Sequence, residues 1–230
     1  MRALVTGANR GIGLELVRQL SARGDTVDAC ARTPDTATDL KALAGDKVRL
    51  HALDVTDAAS VRALATALGD AAIDVVFNVA GIEGGPQSLR ELADDLSLDA
   101  VTSTFDVNAA GALRVTVAVL PHVRRGTVKK LVHVTSGMGS ISDNGSGGSY
   151  AYRMSKAALN MMSKSLAVDL KSEGITSVVI NPGWVQTDMG GSRAPTPVDE
   201  SIRGMLSVID AATLADSGEF LNWKGNRYPW

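Results

Sequence analysis

The 230-residue chain predicts an α/β fold: one domain on a doubly wound, seven-stranded parallel sheet with helices on both faces. Three observations predict it. Short apolar runs alternate with longer amphipathic ones along the whole chain. A glycine-rich turn stands between the first run and the first amphipathic stretch. No linker, repeat or low-complexity segment divides residues 1–230. Strand–helix alternation of this kind implies parallel strands joined by right-handed crossovers, which place helices on both faces.

The first strand, 3–6, runs into the turn Thr6-Gly7-Ala8-Asn9-Arg10-Gly11-Ile12-Gly13 and then a helix over 12–22. Glycines there allow a tight turn and let backbone N–H groups approach a pyrophosphate at a positive helix end. Strand 26–31 carries Cys30, read as a small core residue, and ends Ala31-Arg32; helix 36–44 and strand 48–52 follow. Helix 58–68 and strand 75–78 lead to a long helix over 98–119. Its apolar stretch is interrupted by Arg114 and closed by Pro121, so it cannot span a bilayer. Strand 130–135, a glycine- and serine-rich loop over 137–149, helix 150–172, strand 177–180, helix 198–209 and strand 219–221 complete the series.

Composition removes several function classes. A net charge of −2 gives no electrostatic reason to expect nucleic acid or an anionic membrane as partner. The lone cysteine rules out an internal disulfide framework and suggests a reducing compartment. With no secretory leader read before the first strand, the expected location is cytoplasmic. His51, His122 and His133 have no ligand spacing, so no metal site is expected. Asp94-Asp95 reads as a solvated loop, and the Arg124-Arg125 and Lys129-Lys130 pairs are too short for a nucleic-acid patch.

The chemistry concentrates in Tyr152-Arg153-Met154-Ser155-Lys156. Four residues apart on a helix, Tyr152 and Lys156 share a face, roughly 6 Å apart along the axis. A tyrosine of pKa about 10 is almost fully protonated at neutral pH, and a nearby ammonium favours its phenolate. The pair is therefore expected to depress the Tyr152 pKa. Tyr150 is a decoy, since Met154 stands four residues beyond it. At the end of the second strand an acidic residue would accept from the ribose of NAD, whereas arginine accommodates the 2′-phosphate of NADP. Arg32 occupies that place and Arg10 lies in the glycine turn, so NADP(H) is expected over NAD(H). Asp28, inside the same strand, has no account from sequence.

The glycine spacing and the motifs that follow resemble the short-chain dehydrogenase/reductase family, and in particular its small carbonyl-reductase branch (C-factor and sniffer type). The motifs are Leu53-Asp54-Val55-Thr56, Asn78-Val79-Ala80-Gly81, Val107-Asn108-Ala109-Ala110-Gly111, Val134-Thr135-Ser136-Gly137, the Tyr152–Lys156 pair and Asn181-Pro182-Gly183-Trp184-Val185-Gln186-Thr187. The resemblance implies a Rossmann-type domain and an NADPH-dependent reductase acting on a small ketone or aldehyde. Ser136, Tyr152 and Lys156 would be catalytic, with Asn108 helping to hold a relay water. It also implies that Gly7, Asn9, Arg10, Gly11, Ile12, Gly13, Arg32, Asp54, Val55, Asn78, Ala80 and Gly81 bind cofactor. Tyr152, Lys156, Pro182, Gly183, Val185 and Thr187 would join them at the nicotinamide end. Ser136, Tyr152, Met138, Trp184 and Met189 would meet the substrate, and the expected pocket walls are 83–95, 137–149 and 190–201. Val79 departs from the family's second asparagine. Family members associate through helices corresponding to 98–119 and 150–172, so a homodimer or homotetramer is expected. A signalling or regulatory protein that binds the cofactor without turnover is the second reading; intact glycines, tyrosine and lysine argue against it. Hydrolase chemistry has no histidine–carboxylate partner for Ser136.

Overall fold

The computed structural model describes residues 1–94, 96 and 98–230. Strands β1 (Arg2–Thr6), β2 (Thr26–Ala31), β3 (Val48–Ala52), β4 (Val75–Asn78), β5 (Lys130–Val134), β6 (Thr176–Asn181) and β7 (Phe220–Asn222) form one sheet in the order β3-β2-β1-β4-β5-β6-β7. Every neighbouring pair is parallel, as the alternation predicts. Strand order reverses between β1 and β4, which opens a crevice at their carboxyl ends.

The pleat divides the core in two. Ala3, Val5, Val75 and Phe77 point to the layer of α1 (Gly11–Ala22) and α8 (Val198–Ala211), where Leu16, Leu20, Met205 and Ile209 meet them. Leu4, Val76 and Leu131 point the other way, to α3 (Ala58–Leu68) and α6 (Gly111–Arg125), against Leu64, Val115 and Val119. Each such fully buried side chain contributes about 1.5–3 kcal/mol. The continuous apolar runs are those of strands covered on both faces.

Several expected elements differ. The helix expected over 36–44 is a 3₁₀ turn, Pro34–Thr36, and one turn of α2 (Thr38–Lys41), which buries only Leu40. A short helix α4 (Leu89–Asp94), with no buried side chain, occupies a stretch read as loop. Asp94 ends it, and Asp95 lies outside the described residues. The long helix is α5 (Asp99–Phe105), a π-turn over Asp106–Ala110, and then α6, which runs through Pro121. Proline at 121 deprives the Val117 carbonyl of its partner, but Val117 is on the solvent side where water takes that bond. The helix expected over 150–172 is α7 (Tyr150–Asp169), followed by a 3₁₀ turn.

Asp28 now has an account. Fully buried on β2, it accepts from Arg2 on β1 at 2.7 and 3.1 Å and pairs with His51 on β3 at 2.9 Å. Burial pushes its carboxyl up, yet hydrogen bonds from His51 and Arg2 outweigh that and hold it below its ordinary value.

Candidate active site

A cleft of about 840 Å³ lies over the β1/β4 switch point. Thr6 Oγ1 accepts from Val79 N at 2.9 Å and Ala80 N at 3.1 Å, locking the two strand ends together. Gly7 has φ +66°, and a Cβ there would sit 2.8 Å from Ala80 Cα. A Cβ on Gly13 would sit 2.2 Å from the Gly7 carbonyl oxygen. The turn is therefore as tight as its backbone allows, and the first amides of α1 face the cleft. Asn9, Arg10, Gly11 and Ile12 line the same end, with Arg32, Asp54, Val55, Ala80 and Gly81.

This cradle fits a dinucleotide. Side chains at Gly7 and Gly13 would fill the space the backbone leaves for a phosphate, and the α1 amides supply unpaired donors for it. Asp54 Oδ1 is fixed by Thr56 N at 2.9 Å and Thr56 Oγ1 at 2.6 Å. Those bonds, with Arg32 nearby, hold its carboxyl below the usual range. Arg32 thus stands exposed at the end of β2, where a 2′-phosphate would arrive. Arg10 differs from expectation: its Nη1 donates to Asp188 Oδ2 at 2.8 Å, across the mouth of the cleft. Its first partner is thus a carboxylate on the loop after β6.

At the other end α7 presents Tyr152 and Lys156, both buried, on one face. The Tyr152 phenol lies close to Ser136, just beyond the end of β5, whose hydroxyl accepts from Met138 N at 3.1 Å. Lys156 Nζ donates to the Val134 carbonyl at 2.9 Å and lies 5.7 Å from the Tyr152 ring centroid. The expected depression of the Tyr152 pKa is not found. Burial pushes it up to about 12, Ser136 opposing and Glu83 adding to the rise. Burial also pushes Lys156 down to about 8. Lys156 gives one of its three donors to strand β5, and burial sets the direction of the Tyr152 shift.

Two expected residues do not line the cleft. Asn78 is turned into the core, where its Nδ2 donates to Thr116 Oγ1 at 3.0 Å and meets His133 Nδ1 at 3.1 Å. It ties β4 to α6 and β5 and is no cofactor contact. Asn108 sits in the π-turn; its Oδ1 accepts from Ile82 N at 2.8 Å, and its Nδ2 donates to Ile82 O at 2.8 Å and Ser155 Oγ at 2.9 Å. Both Nδ2 hydrogens are taken up by these bonds, while Oδ1 keeps one acceptor site free. What Asn108 does hold is the 81–82 backbone beside Lys156.

Pro182, Gly183, Trp184, Val185, Thr187 and Met189 complete the wall opposite α7. Asn181 Oδ1 accepts from Gly183 N at 2.9 Å, and Trp184 Nε1 donates to Gly190 O at 2.7 Å, leaving Trp184 largely exposed at the mouth. Glu83 and Asp143 lie on the cleft wall within the stretches expected to form it, whereas sequence reasoning missed Arg153 and Tyr228, which line it too. Tyr228 lies beyond the last strand and carries no motif, so no local signal marks it. Ser140 is buried away from the reacting groups, its Oγ accepting from Asp143 N and donating to Trp230 O. Among the described residues, no three His, Cys, Asp or Glu side chains converge as metal ligands, and no helix is long and apolar enough to cross a membrane.

A glycine turn at the switch point of a doubly wound sheet, facing a buried serine–tyrosine–lysine cluster, defines an oxidoreductase of the Rossmann class. The sequence model of the family described as short chain dehydrogenase matches residues 1–197, and the chain belongs to that family. It is 47% identical over 170 residues to C-signal of Myxococcus xanthus, covering 74% of this chain and 100% of that protein. The NADPH-bound carbonyl reductase from chicken fatty liver superposes with a TM-score of 0.92 at 34% identity, over 100% of this chain and 98% of that one. The carbonyl reductase Sniffer of D. melanogaster superposes with a TM-score of 0.92 at 30% identity, over 100% and 99%. The fold and the small carbonyl-reductase branch expected from sequence are both found.

Proposed function

We propose that this protein is an NADPH-dependent reductase that converts a ketone or aldehyde of a small molecule into the alcohol, the whole chain acting as one domain. The observation that carries the proposal is the Tyr152 phenol, beside Ser136 and one helical turn from Lys156, in a cleft that also holds the glycine cradle. NADPH, when bound, supplies hydride to the carbonyl carbon. Ser136 holds the carbonyl oxygen beside Tyr152, which gives its proton to the developing alkoxide. A phenol held near 12 keeps that proton until the alkoxide forms. Lys156 holds the nicotinamide ribose and, when charged, eases loss of the Tyr152 proton. Arg32 would hold the 2′-phosphate, Asp54 and Val55 the adenine, and the Val185 backbone with Thr187 the carboxamide. Met138, Trp184 and Met189 supply apolar surface that a substrate would cover. Likeness to carbonyl reductases that carry NADPH or NADP supports the cofactor assignment.

The same reading places the protein in the cytoplasm as a homodimer or homotetramer. Leu113 and Val117 on α6 and Met161 and Val168 on α7 form an exposed apolar face suited to self-association. Likeness to C-signal favours a second reading, in which the cleft binds the nucleotide for signalling without turnover. One experiment separates them. Tyr152→Phe should keep the NADPH Kd within about twofold while turnover of a carbonyl panel falls about 10³-fold, since a general acid contributes about 10²–10⁴. Retained turnover would refute the role of Tyr152. NADPH binding by the parent protein with no turnover across the panel would select the signalling reading.

A further inference from the structure

We propose that Tyr228 is a specificity-determining and positioning residue of the carbonyl site, clamped by Asp143 and restricting the substituent that lies beside Ser136. The proposal rests on the carbonyl-reducing reading above. After β7 the chain reverses: Leu221 pairs with Arg227 in an antiparallel bridge, and Tyr228 N donates to Phe220 O at 2.6 Å. That reversal sets the Tyr228 ring against Phe220, 4.9 Å between centroids, and carries its hydroxyl back to the cleft. There Oη donates to Asp143 Oδ2 at 2.5 Å. Asp143 belongs to the loop that begins at Ser136.

The segment and that loop are stitched together a second time. The Trp230 main-chain oxygen accepts from Ser142 N at 2.9 Å, Ser142 Oγ at 2.5 Å and Ser140 Oγ at 3.2 Å. Arg153 and Asn160 on α7 hold the loop at Met138, Gly139, Ser146 and Gly147. Residues 140–143, between those anchors, are held by Tyr228 and Trp230, 85 to 90 positions away in sequence.

Tyr228 also fills space next to the reacting serine. A Cβ on Gly137 would lie 2.6 Å from Tyr228 Oη and 3.1 Å from its Cζ. Glycine follows Ser136 because the Tyr228 phenol already occupies the volume of a side chain. Any substrate arm directed towards Gly137 meets that phenol, so the site takes carbonyl compounds with a small group on this side. The carboxylate partner pushes the Tyr228 phenol up to about 12, so the clamp persists across the working pH range.

The test uses the full chain with NADPH and a series of ketones that differ only in one arm. Tyr228→Ala should raise kcat/KM for the bulky-arm ketone relative to the small one by about tenfold or more, a size effect typical of one pocket wall. The KM for NADPH should stay within about twofold. Tyr228→Phe keeps the wall and loses the clamp: carbonyl KM should rise with kcat largely kept, and amide exchange over 138–145 should quicken. Gly137→Ala should lower kcat/KM about tenfold in the parent and much less in the Tyr228→Ala background, since the pair shares one volume. An unchanged arm preference in Tyr228→Ala, or simple additivity with Gly137→Ala, would overturn the proposal. Should the parent turn over none of these ketones, the carbonyl-reducing reading fails; amide exchange then decides the clamp alone, and unchanged exchange in Tyr228→Phe overturns it.

Discussion

Gly13→Ala adds a single methyl group, and its consequences can be worked through. The new Cβ would lie 2.2 Å from the Gly7 carbonyl oxygen, 2.8 Å from its carbon and 3.1 Å from Ala8 Cα. A normal contact requires the Gly7 carbonyl to retreat by about 1 Å. Retreat is opposed, because Gly7 is itself wedged against Ala80 and the β1 end is pinned by Thr6. Alanine in a helix gains about 1 kcal/mol over glycine, while overpacking costs about 1–3 kcal/mol. The net effect on stability is therefore small, about 0–2 kcal/mol lost. The effect on nucleotide binding should be larger. Amides displaced by about 1 Å lose one or two charge-assisted hydrogen bonds to phosphate, each contributing about 1.5–3 kcal/mol. The NADPH Kd should rise by at least about tenfold, the loss of one weak bond, and by up to about 10⁴-fold if two strong ones go. Titration calorimetry reads the Kd, and urea unfolding reads stability. Gly45→Ala is the control, since a Cβ there meets nothing within 4 Å. A Gly13→Ala protein that binds NADPH within about twofold of the parent would refute the cradle.

Two further predictions follow from the charged residues. Arg32→Asp should weaken NADPH by about 10–100-fold, the loss of one charge-assisted contact, and leave NADH unaffected or improved; Arg10→Ala should do less, because Arg10 already holds Asp188. Equal kcat/KM for both cofactors in the parent would remove the basis for either. Asp28→Asn should cost about 3 kcal/mol at pH 7 by leaving Arg2 and His51 without their buried carboxylate. Because the fold holds the Asp28 pKa below its unfolded value, its contribution is present above about pH 4 and is lost as pH falls through the folded value. Unfolding curves of parent and variant should therefore converge in acid, and a constant gap down to pH 2 would count against the cluster.

The sheet was legible because seven apolar runs separated by amphipathic stretches leave few alternatives, and the structure reproduces both parallelism and closing strand. Motif spacing also separated Tyr152 from Tyr150, and the structure puts Tyr152 in the cleft beside Ser136. What could not be read depends on atoms brought together from distant positions. Pro121 reads as a helix end, yet the freed Val117 carbonyl faces solvent and the helix continues. The π-turn that carries Asn108 has no composition of its own; it is stabilised by Ile82 and Ser155, 26 and 47 positions away. Asn78 belongs to a motif, but its direction is chosen by Thr116 and His133. Tyr228 lies outside every motif, and only the reversal after β7 brings it to the site.

The direction of the Tyr152 shift bears on the proposed reaction. An ammonium four residues away predicts a lowered phenol pKa only if the charge is near the oxygen and fully present. The first condition is not met: Lys156 Nζ donates to the Val134 carbonyl and lies 5.7 Å from the Tyr152 ring centroid, although a lysine pushed down to about 8 is still mostly charged at neutral pH. Desolvation acts on both groups, favouring neutral tyrosine and neutral lysine alike. A neutral phenol is the form that donates a proton, which is what the proposed reduction asks of Tyr152. Alcohol oxidation would require a phenolate, which burial disfavours and Glu83 disfavours further. The two directions therefore differ in what they demand of Lys156. The proposed reduction would start from the neutral phenol, whereas oxidation would start from the phenolate and so depends on how closely the Lys156 charge approaches it.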